Sequence, residues 1–332
     1  MKKINLAVVG ATGMVGNTFL KVLAEKNLPV ENYYLYASQK SAGKKVEFLG
    51  KEYTIIELTP ENVKDKKIDI ALFSAGGSVS EKFAPIFAEI GAVVVDNSSQ
   101  WRMDPEVPLV VPEVNPEDID WNKGIIANPN CSTIQAMVAL KPLDDKYKIK
   151  RIVYSTYQAV SGAGVQGYMD LKDGINGEAP KKFPYPIFGN VIPHIDVFLD
   201  NGYTKEEMKM VNETRKILHN PDMKVTATTV RVPVFYGHSE SINVEFEKPC
   251  TKEGIVDALA NFPGIVIVDD VANNKYPMPI DAEGTDEVYV GRIRIDDTVD
   301  SGCNLFVVAD NIRKGAASNA VQIAEILIKN MQ

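Results

Sequence analysis

The chain of 332 residues is long enough for about two domains, and with 45% hydrophobic and 24% charged residues it has the composition of a folded globular protein, not a disordered one. Its 36 basic and 44 acidic residues leave a net charge of −8, which argues against a nucleic-acid or membrane-surface partner but allows local basic spots for a small anion. The three cysteines, Cys131, Cys250 and Cys303, are too far apart to suggest a disulfide framework or a metal site, and no apolar run approaches a membrane span, so a cytoplasmic protein without a metal is expected.

The chain opens with "INLAVVG", a short continuous apolar run ending at a glycine, as a buried parallel strand would. "NTFLKVLAEKN" follows at helical spacing, "ENYYLYAS" reads as a second strand, and a polar hairpin-like stretch leads to the buried strand "KIDIALFSAGG". "SEKFAPIFAEIG" reads as a helix with Ser80 as its cap, and "AVVVDNSS" as another buried strand. This alternation of strand and helix predicts a Rossmann-type doubly wound parallel sheet, with the loops after its strands gathered on one edge.

From about residue 130 the pattern changes. "KIKRIVYSTYQAVSG", "DEVYVGRIRIDD" and "NLFVVADN" alternate as half-buried strands do, and "KVTATTVRVPVFYGHSESINVEFEK" reads as two antiparallel strands interrupted by a Gly-His turn. A second, α+β domain on a largely antiparallel sheet is predicted. The amphipathic "RKGAASNAVQIAEILIKN" can return to the first domain. The expected division is residues 1–129 completed by 313–332, with residues 130–312 as the second domain.

Two local features carry chemistry. "GATGMVG" sets Gly10, Gly13 and Gly16 between a strand and a helix, where backbone N–H groups can face a pyrophosphate and Thr12 can add a hydroxyl. The second strand ends in "LYASQKSAG", with Ser38, Lys40 and Ser41 and no carboxylate, which suits the 2′-phosphate of NADP better than a free NAD ribose. In "ANPNCSTIQAMVAL", Cys131 stands where a helix begins, near the positive end of its dipole, a setting that favours thiolate. A small buried packing residue is the alternative there. A thiolate needs a proton partner among His194, His219 and His238. His238 follows a glycine between two strand-like runs and can project into a cleft. His219 reads as a helix-end residue, and His194 as a packed interface residue.

"GATGMVG", "SAGGSVSEKFAP", "VVDNSSQWRM", "VPEVNP", "NPNCSTIQ", "YQAVSGAG", "NETRKI" and "RVPVFYGHSES", in that order along essentially the whole chain, resemble aspartate-β-semialdehyde dehydrogenase. "NPNCSTIQ" and "RVPVFYGHSES" are the specific motifs. The resemblance implies a glyceraldehyde-3-phosphate-dehydrogenase-like architecture. It also implies NADPH-dependent reductive dephosphorylation of L-aspartyl 4-phosphate to aspartate semialdehyde and phosphate. That reaction lies on the pathway to lysine, threonine, methionine and diaminopimelate. Cys131 would be the nucleophile that forms a thioester, His238 the acid/base and Gln158 an active-site glutamine. Arg231 would clamp the substrate carboxylate, Glu213 face its ammonium, and Lys216, Arg102 and Asn130 hold its phosphate. Gly10 and the run Thr12, Gly13, Met14 and Val15 would cradle the cofactor pyrophosphate. Ser38, Lys40 and Ser41 would meet the 2′-phosphate, and Ser161, Gly162 and Asn311 would lie near the nicotinamide. A homodimer through the second domain is implied, which can pair into a homotetramer.

The nearest alternative is another acyl-phosphate reductase, such as an N-acetylglutamyl-phosphate reductase, which has no free ammonium to bind. A non-catalytic relative conflicts with the presence of Cys131, Gln158, Arg231 and His238 together. A Cys-His hydrolase leaves the glycine loop unexplained.

Overall fold

A computed structural model describes residues 3–332; residues 1 and 2 of the expected first domain lie outside the described residues. The chain divides into two compact units, one running to Pro129 and resuming over Ala316–Gln332, the other Asn130–Gly315. Arg313–Gly315 thus stay with the second unit, and the return to the first begins at Ala316.

The first unit contains β1 (Ile4–Val9), β2 (Val30–Ala37), a hairpin of β3 (Lys45–Phe48) and β4 (Lys51–Thr54), then β5 (Ile56–Glu57), β6 (Ile70–Phe73), β7 (Val93–Asp96) and β8 (Ile125–Ala127). Its main sheet has the order β5-β2-β1-β6-β7-β8, with every pairing parallel. Leaving out the hairpin, this is the doubly wound order, and the winding reverses between β1 and β6. β1 is apolar throughout because both its faces are covered. Leu6 and Val8 enter one layer with helices Met14–Lys26 and Ser318–Asn330, while Ala7 and Val9 enter another with Phe83 and Phe87. Each large apolar side chain fully buried here contributes roughly 1.5–3 kcal/mol. The helix expected to be capped by Ser80 spans Gly77–Glu89 with Gly76 as its N-cap. Ser80 lies inside it, buried, accepting a hydrogen bond from Trp101 Nε1 at 2.9 Å. The glycines let the helix start four residues earlier than a cap at Ser80 would.

The second unit is built on a mixed sheet with the order β10-β9-β11-β14-β13-β12. Its strands are β9 (Ile149–Gln158), β10 (Lys224–Arg231), β11 (His238–Phe246), β12 (Ile265–Ile267), β13 (Val288–Ile295) and β14 (Gly302–Ala309). The central pairings β9–β11, β11–β14 and β13–β14 are antiparallel, and both edge strands are parallel to their neighbours. β10 and β11 do not form the expected antiparallel pair, because β9 lies between them. The helical connection Gly164–Gly174 and Lys205–Ile217 carries the chain from β9 over to a parallel β10. The buried helix Cys131–Tyr147 packs on the inner face of the sheet, where Ile134, Met137, Val138 and Leu140 are fully buried.

Candidate active site

The site of the second unit begins at the Asn130–Cys131 step. Asn130 caps the helix: its Oδ1 accepts from Ser132 N at 3.0 Å and Thr133 N at 3.4 Å, which makes Cys131 the first helical residue. Its own N–H donates to Glu213 Oε2 at 2.7 Å, and its Nδ2 donates to Glu206 Oε1 at 2.9 Å. Gln158, the last residue of β9, donates to the same Glu206 oxygen at 3.1 Å. Glu206 is itself positioned by a capping box, Thr204 with Glu207, that starts helix Lys205–Ile217. Burial alone would raise the Glu206 carboxyl. The Lys209 ammonium at 3.0 Å and the hydrogen bonds from Gln158 and Asn130 outweigh it and hold the group at about 2, so it stays ionised. Lys209 also bonds Asp196 at 2.9 Å.

Three strands bring the remaining groups into one row. Arg231, ending β10, is paired with Gln158. Tyr157 is paired with Ser239, so His238 at the start of β11 stands level with Gln158. Residues opposite one another across a sheet project to the same face. Arg231 and His238 lie seven positions apart in sequence, and it is the strand order, with β9 between them, that aligns the two. Gly237, with φ +85°, supports the turn into β11 and donates its N–H to Asn311 Oδ1 at 2.9 Å. Asn311 is joined to Ser161 Oγ at 3.0 Å, and both are buried. Two of the three residues expected near a nicotinamide therefore hold the turn before His238.

His238 is fully buried, and its Nδ1 accepts the Ala159 N–H at 3.0 Å. That bond assigns the proton of the neutral ring to Nε2, which has no hydrogen-bond partner among the described residues. Burial first, and then the Arg231 charge, lower its pKa to about 3, so the ring is neutral at physiological pH. Arg231 Nη1 donates to Ala159 O at 2.7 Å. Burial lowers the guanidinium pKa, while Glu206 and Cys131 favour its charged form. Gly162 leaves room for both groups: a Cβ there would lie 2.9 Å from Arg231 Nη1 and 3.1 Å from His238 Nε2. Gly315, in the π-helical turn Arg313–Ala317, leaves room for the cysteine, since a Cβ there would lie 2.9 Å from Cys131 Cβ.

Sequence reasoning missed Glu206, Lys209 and Gly315. Helix Lys205–Ile217 carries Glu-x-x-Lys twice, as Glu206/Lys209 and Glu213/Lys216, two turns apart and on one face. Spacing could not choose between them. The structure brings the first copy to Asn130 and Gln158, whereas the Glu213 carboxylate receives the Asn130 N–H and holds the helix start. No disulfide joins Cys131, Cys250 or Cys303, and burial raises the Cys303 thiol well above the usual thiol range. The ring of His194 stacks on Phe198 with centroids 4.3 Å apart.

The first unit holds a cleft of about 490 Å³ at the reversal point of its sheet, lined among others by Gly10, Thr12, Gly13, Ser38, Gln39 and Lys82. Gly10, at φ +86°, could carry no side chain, because a Cβ would lie 2.3 Å from Ser74 O. A Cβ on Gly16 would lie 2.1 Å from Gly10 O. The two glycines press β1, the loop after β6 and helix Met14–Lys26 together and leave the helix N-terminus open, a cradle that fits a dinucleotide pyrophosphate. Met14 and Val15 form the first turn of that helix. Lys40 and Ser41 are not among the cleft's lining residues; they follow Gln39 in the turn Gln39–Ser41, with Lys40 exposed and Ser41 Oγ 3.5 Å from Thr12 Oγ1. Arg102, also of this unit and buried, donates to the Asn128 and Asn97 carbonyls at 2.9 and 3.0 Å. Among the described residues no group of three potential ligands could hold a metal, and no helix is long and apolar enough to cross a membrane.

Comparison with known proteins gives two family matches, semialdehyde dehydrogenase, NAD binding domain, over residues 5–122, and semialdehyde dehydrogenase, dimerisation domain, over residues 140–314. An aspartate-semialdehyde dehydrogenase of Aquifex aeolicus is 62% identical over 333 residues, 98% of each chain. The crystal structure of aspartate semialdehyde dehydrogenase II of Vibrio cholerae complexed with ASA is 50% identical, superposing at a TM-score of 0.95 over 99% of both chains. That of the Candida albicans aspartate semialdehyde dehydrogenase with NADP is 29% identical, at 0.78 over 98% of both.

Proposed function

The chain belongs to the aspartate-semialdehyde dehydrogenase family, and on that premise we propose that it converts L-aspartyl 4-phosphate to L-aspartate 4-semialdehyde and phosphate with NADPH, through a Cys131 thioester. The observation that carries the substrate reading is the ionised, buried Glu206 beside Gln158, with the Arg231 guanidinium in the same row. A carboxylate and a fork of donors are complementary to the free ammonium and α-carboxylate of an amino acid. An N-acylated substrate has no ammonium to offer Glu206.

In this reading the Cys131 sulfur attacks the acyl carbon and the carbon–phosphate oxygen bond breaks. The helix N-terminus and Arg231 favour the thiolate. In the family reading Lys216, Arg102 and Asn130 would hold the substrate's phosphate. His238 works as a hydrogen-bond donor: its Nε2–H can stabilise the oxygen that gains charge as the thioester forms and again in the hemithioacetal, whose collapse releases Cys131 as the thiolate, so the neutral ring keeps its only proton. Drawing the thiol proton onto His238 would set a second N–H against the Ala159 N–H, so the geometry favours a cysteine that is already ionised. Gly10, Thr12, Gly13 and the first turn at Met14 and Val15 would hold the cofactor pyrophosphate, and Ser161, Gly162 and Asn311 would border the nicotinamide. When bound, the cofactor supplies the hydride that takes the thioester to the hemithioacetal.

NADP over NAD is favoured by the absence of a carboxylate after β2 and by Lys40 and Lys82 near the cleft. A homodimer, able to pair into a tetramer, is favoured by the match to a dimerisation domain and by the sheet face turned away from the site, where Tyr157 lies 6.3 Å from Phe306. Three cysteines without a disulfide suit the cytoplasm. The test is phosphate-dependent NADP reduction by aspartate semialdehyde, run beside N-acetylglutamate semialdehyde and beside NAD. Preference for the acetylated substrate would overturn the role of Glu206.

A further inference from the structure

Two residues along β11 from His238, on the same face of the sheet, Glu240 is fully buried, and neither of its oxygens has a hydrogen-bond partner among the described residues. Across the sheet it stands level with Thr156 on β9 and Val307 on β14. Thr156 gives its hydroxyl proton to Gln158 Oε1 at 3.0 Å, and the next hydroxyl on that face of β9, Tyr154, is paired with Thr214 Oγ1 at 3.0 Å. The polar group that acts on the carboxyl is Gln135, one helical turn beyond Cys131. Gln135 Nε2 donates to the His238 carbonyl at 3.3 Å, while its Oε1 is buried and without a partner. An ionised Glu240 would leave three buried acceptor oxygens here without a hydrogen bond; the second proton of Gln135 Nε2 favours the carboxylate but makes no hydrogen bond to it. Turning the Gln135 amide over would only set its oxygen against the His238 carbonyl. One proton on Glu240 supplies the missing donor.

From this geometry we propose that Glu240 is a neutral carboxylic acid donating to Gln135 Oε1, a positioning residue that ties the His238 main chain to the Cys131 helix. Among the described residues no cation acts on the carboxyl, and burial pushes it well above the usual carboxylate range. Keeping the proton avoids leaving an unpaired charge in the core. The titratable groups on the elements around it are Tyr154 on β9, whose hydroxyl burial also raises, and His238 on its own strand, which is neutral.

The sign of the pH dependence separates a neutral from an ionised Glu240. A carboxyl held protonated in the fold but ionised in the unfolded chain makes the protein less stable as pH rises above its unfolded value. Glu240→Gln cannot titrate and keeps a donor for Gln135. Its thermal midpoint should therefore gain on the wild type between about pH 5 and about pH 8, with most of kcat retained. The wild-type-minus-variant infrared spectrum should contain a carboxylic-acid carbonyl band at neutral pH. Glu240→Met has no donor and should lower kcat roughly fivefold to tenfold, the size of one lost hydrogen bond, with KM little changed. A Gln variant that falls behind the wild type as pH rises, or a carboxylate band in place of the acid band, would overturn the proposal. An unchanged kcat in a folded Met variant would remove the positioning role. The kcat readout rests on the reading of Cys131 and His238 given above. The midpoint and infrared readouts need no turnover, so failure of that reading and failure of this one are distinguishable.

Discussion

The cleft of the first unit and the buried constellation of the second are built by opposite means. In the cleft, Gly10 and Gly16 remove side chains so that backbone can approach backbone within a distance no Cβ tolerates, and the binding groups are N–H donors at a helix start. In the second unit, the buried side chains of Asn130, Gln158 and Glu206 and the half-buried Lys209 form a chain in which each charge or amide satisfies the next. The first device sets one glycine loop against the backbone after β6. The second needs three separate segments, and it is costly if any member is removed, because the remaining partners stay buried. Cofactor binding and substrate chemistry should therefore respond to different substitutions.

The widest separation is expected for Cys131→Ala. Turnover should fall by roughly 10⁴-fold or more, while NADPH binding by fluorescence titration stays within about twofold of the wild type. Turnover retained in a clean preparation would break the assignment of the nucleophile. His238→Ala should reduce kcat by roughly 10²–10³-fold, the size of one lost oxyanion donor, and should also change acid stability. Unfolded histidine takes up a proton below about pH 6.5, whereas in the fold His238 resists protonation down to about 3. The wild type therefore loses stability as pH falls through that interval, and the variant should lose less; urea midpoints at neutral and acid pH would show it.

A smaller contrast sharpens the choice within helix Lys205–Ile217. Glu206→Gln should raise KM for aspartate semialdehyde by roughly 10- to 100-fold, the size of a hydrogen bond to a charged group. Glu213→Gln should act on thermal stability more than on KM, since Glu213 receives the Asn130 N–H. The reverse pattern would return the substrate contact to Glu213. The least effect is expected in the first unit. Lys40→Ala should weaken kcat/KM for NADP roughly threefold to tenfold with NAD unaffected, because Lys40 is exposed and its charge is screened. If Lys82→Ala is the selective variant instead, the cation of the cleft is the one on helix Gly77–Glu89.

Much of the first unit was legible in the sequence because its determinants are local. A run such as "INLAVVG" is apolar at every position because the parallel strand is covered on both faces, and three glycines mark the place where strand, turn and helix must touch. Cys131 could be read as a helix start from its neighbours Pro129 and Asn130, since capping involves only adjacent residues. The pairing of β10 and β11 could not be read, because alternation identifies a strand but not its neighbour; the placing of β9 between them is a property of the crossover. Nor could the sequence choose between two copies of Glu-x-x-Lys in one helix, which have the same spacing and the same face. Burial and the reach of Asn130 and Gln158 decided that, and they also decided the proton of His238, which follows from the Ala159 N–H on a neighbouring strand. Residue types and short-range spacing follow from the chain alone, whereas the charge state of a buried group depends on partners contributed by segments up to about eighty positions away.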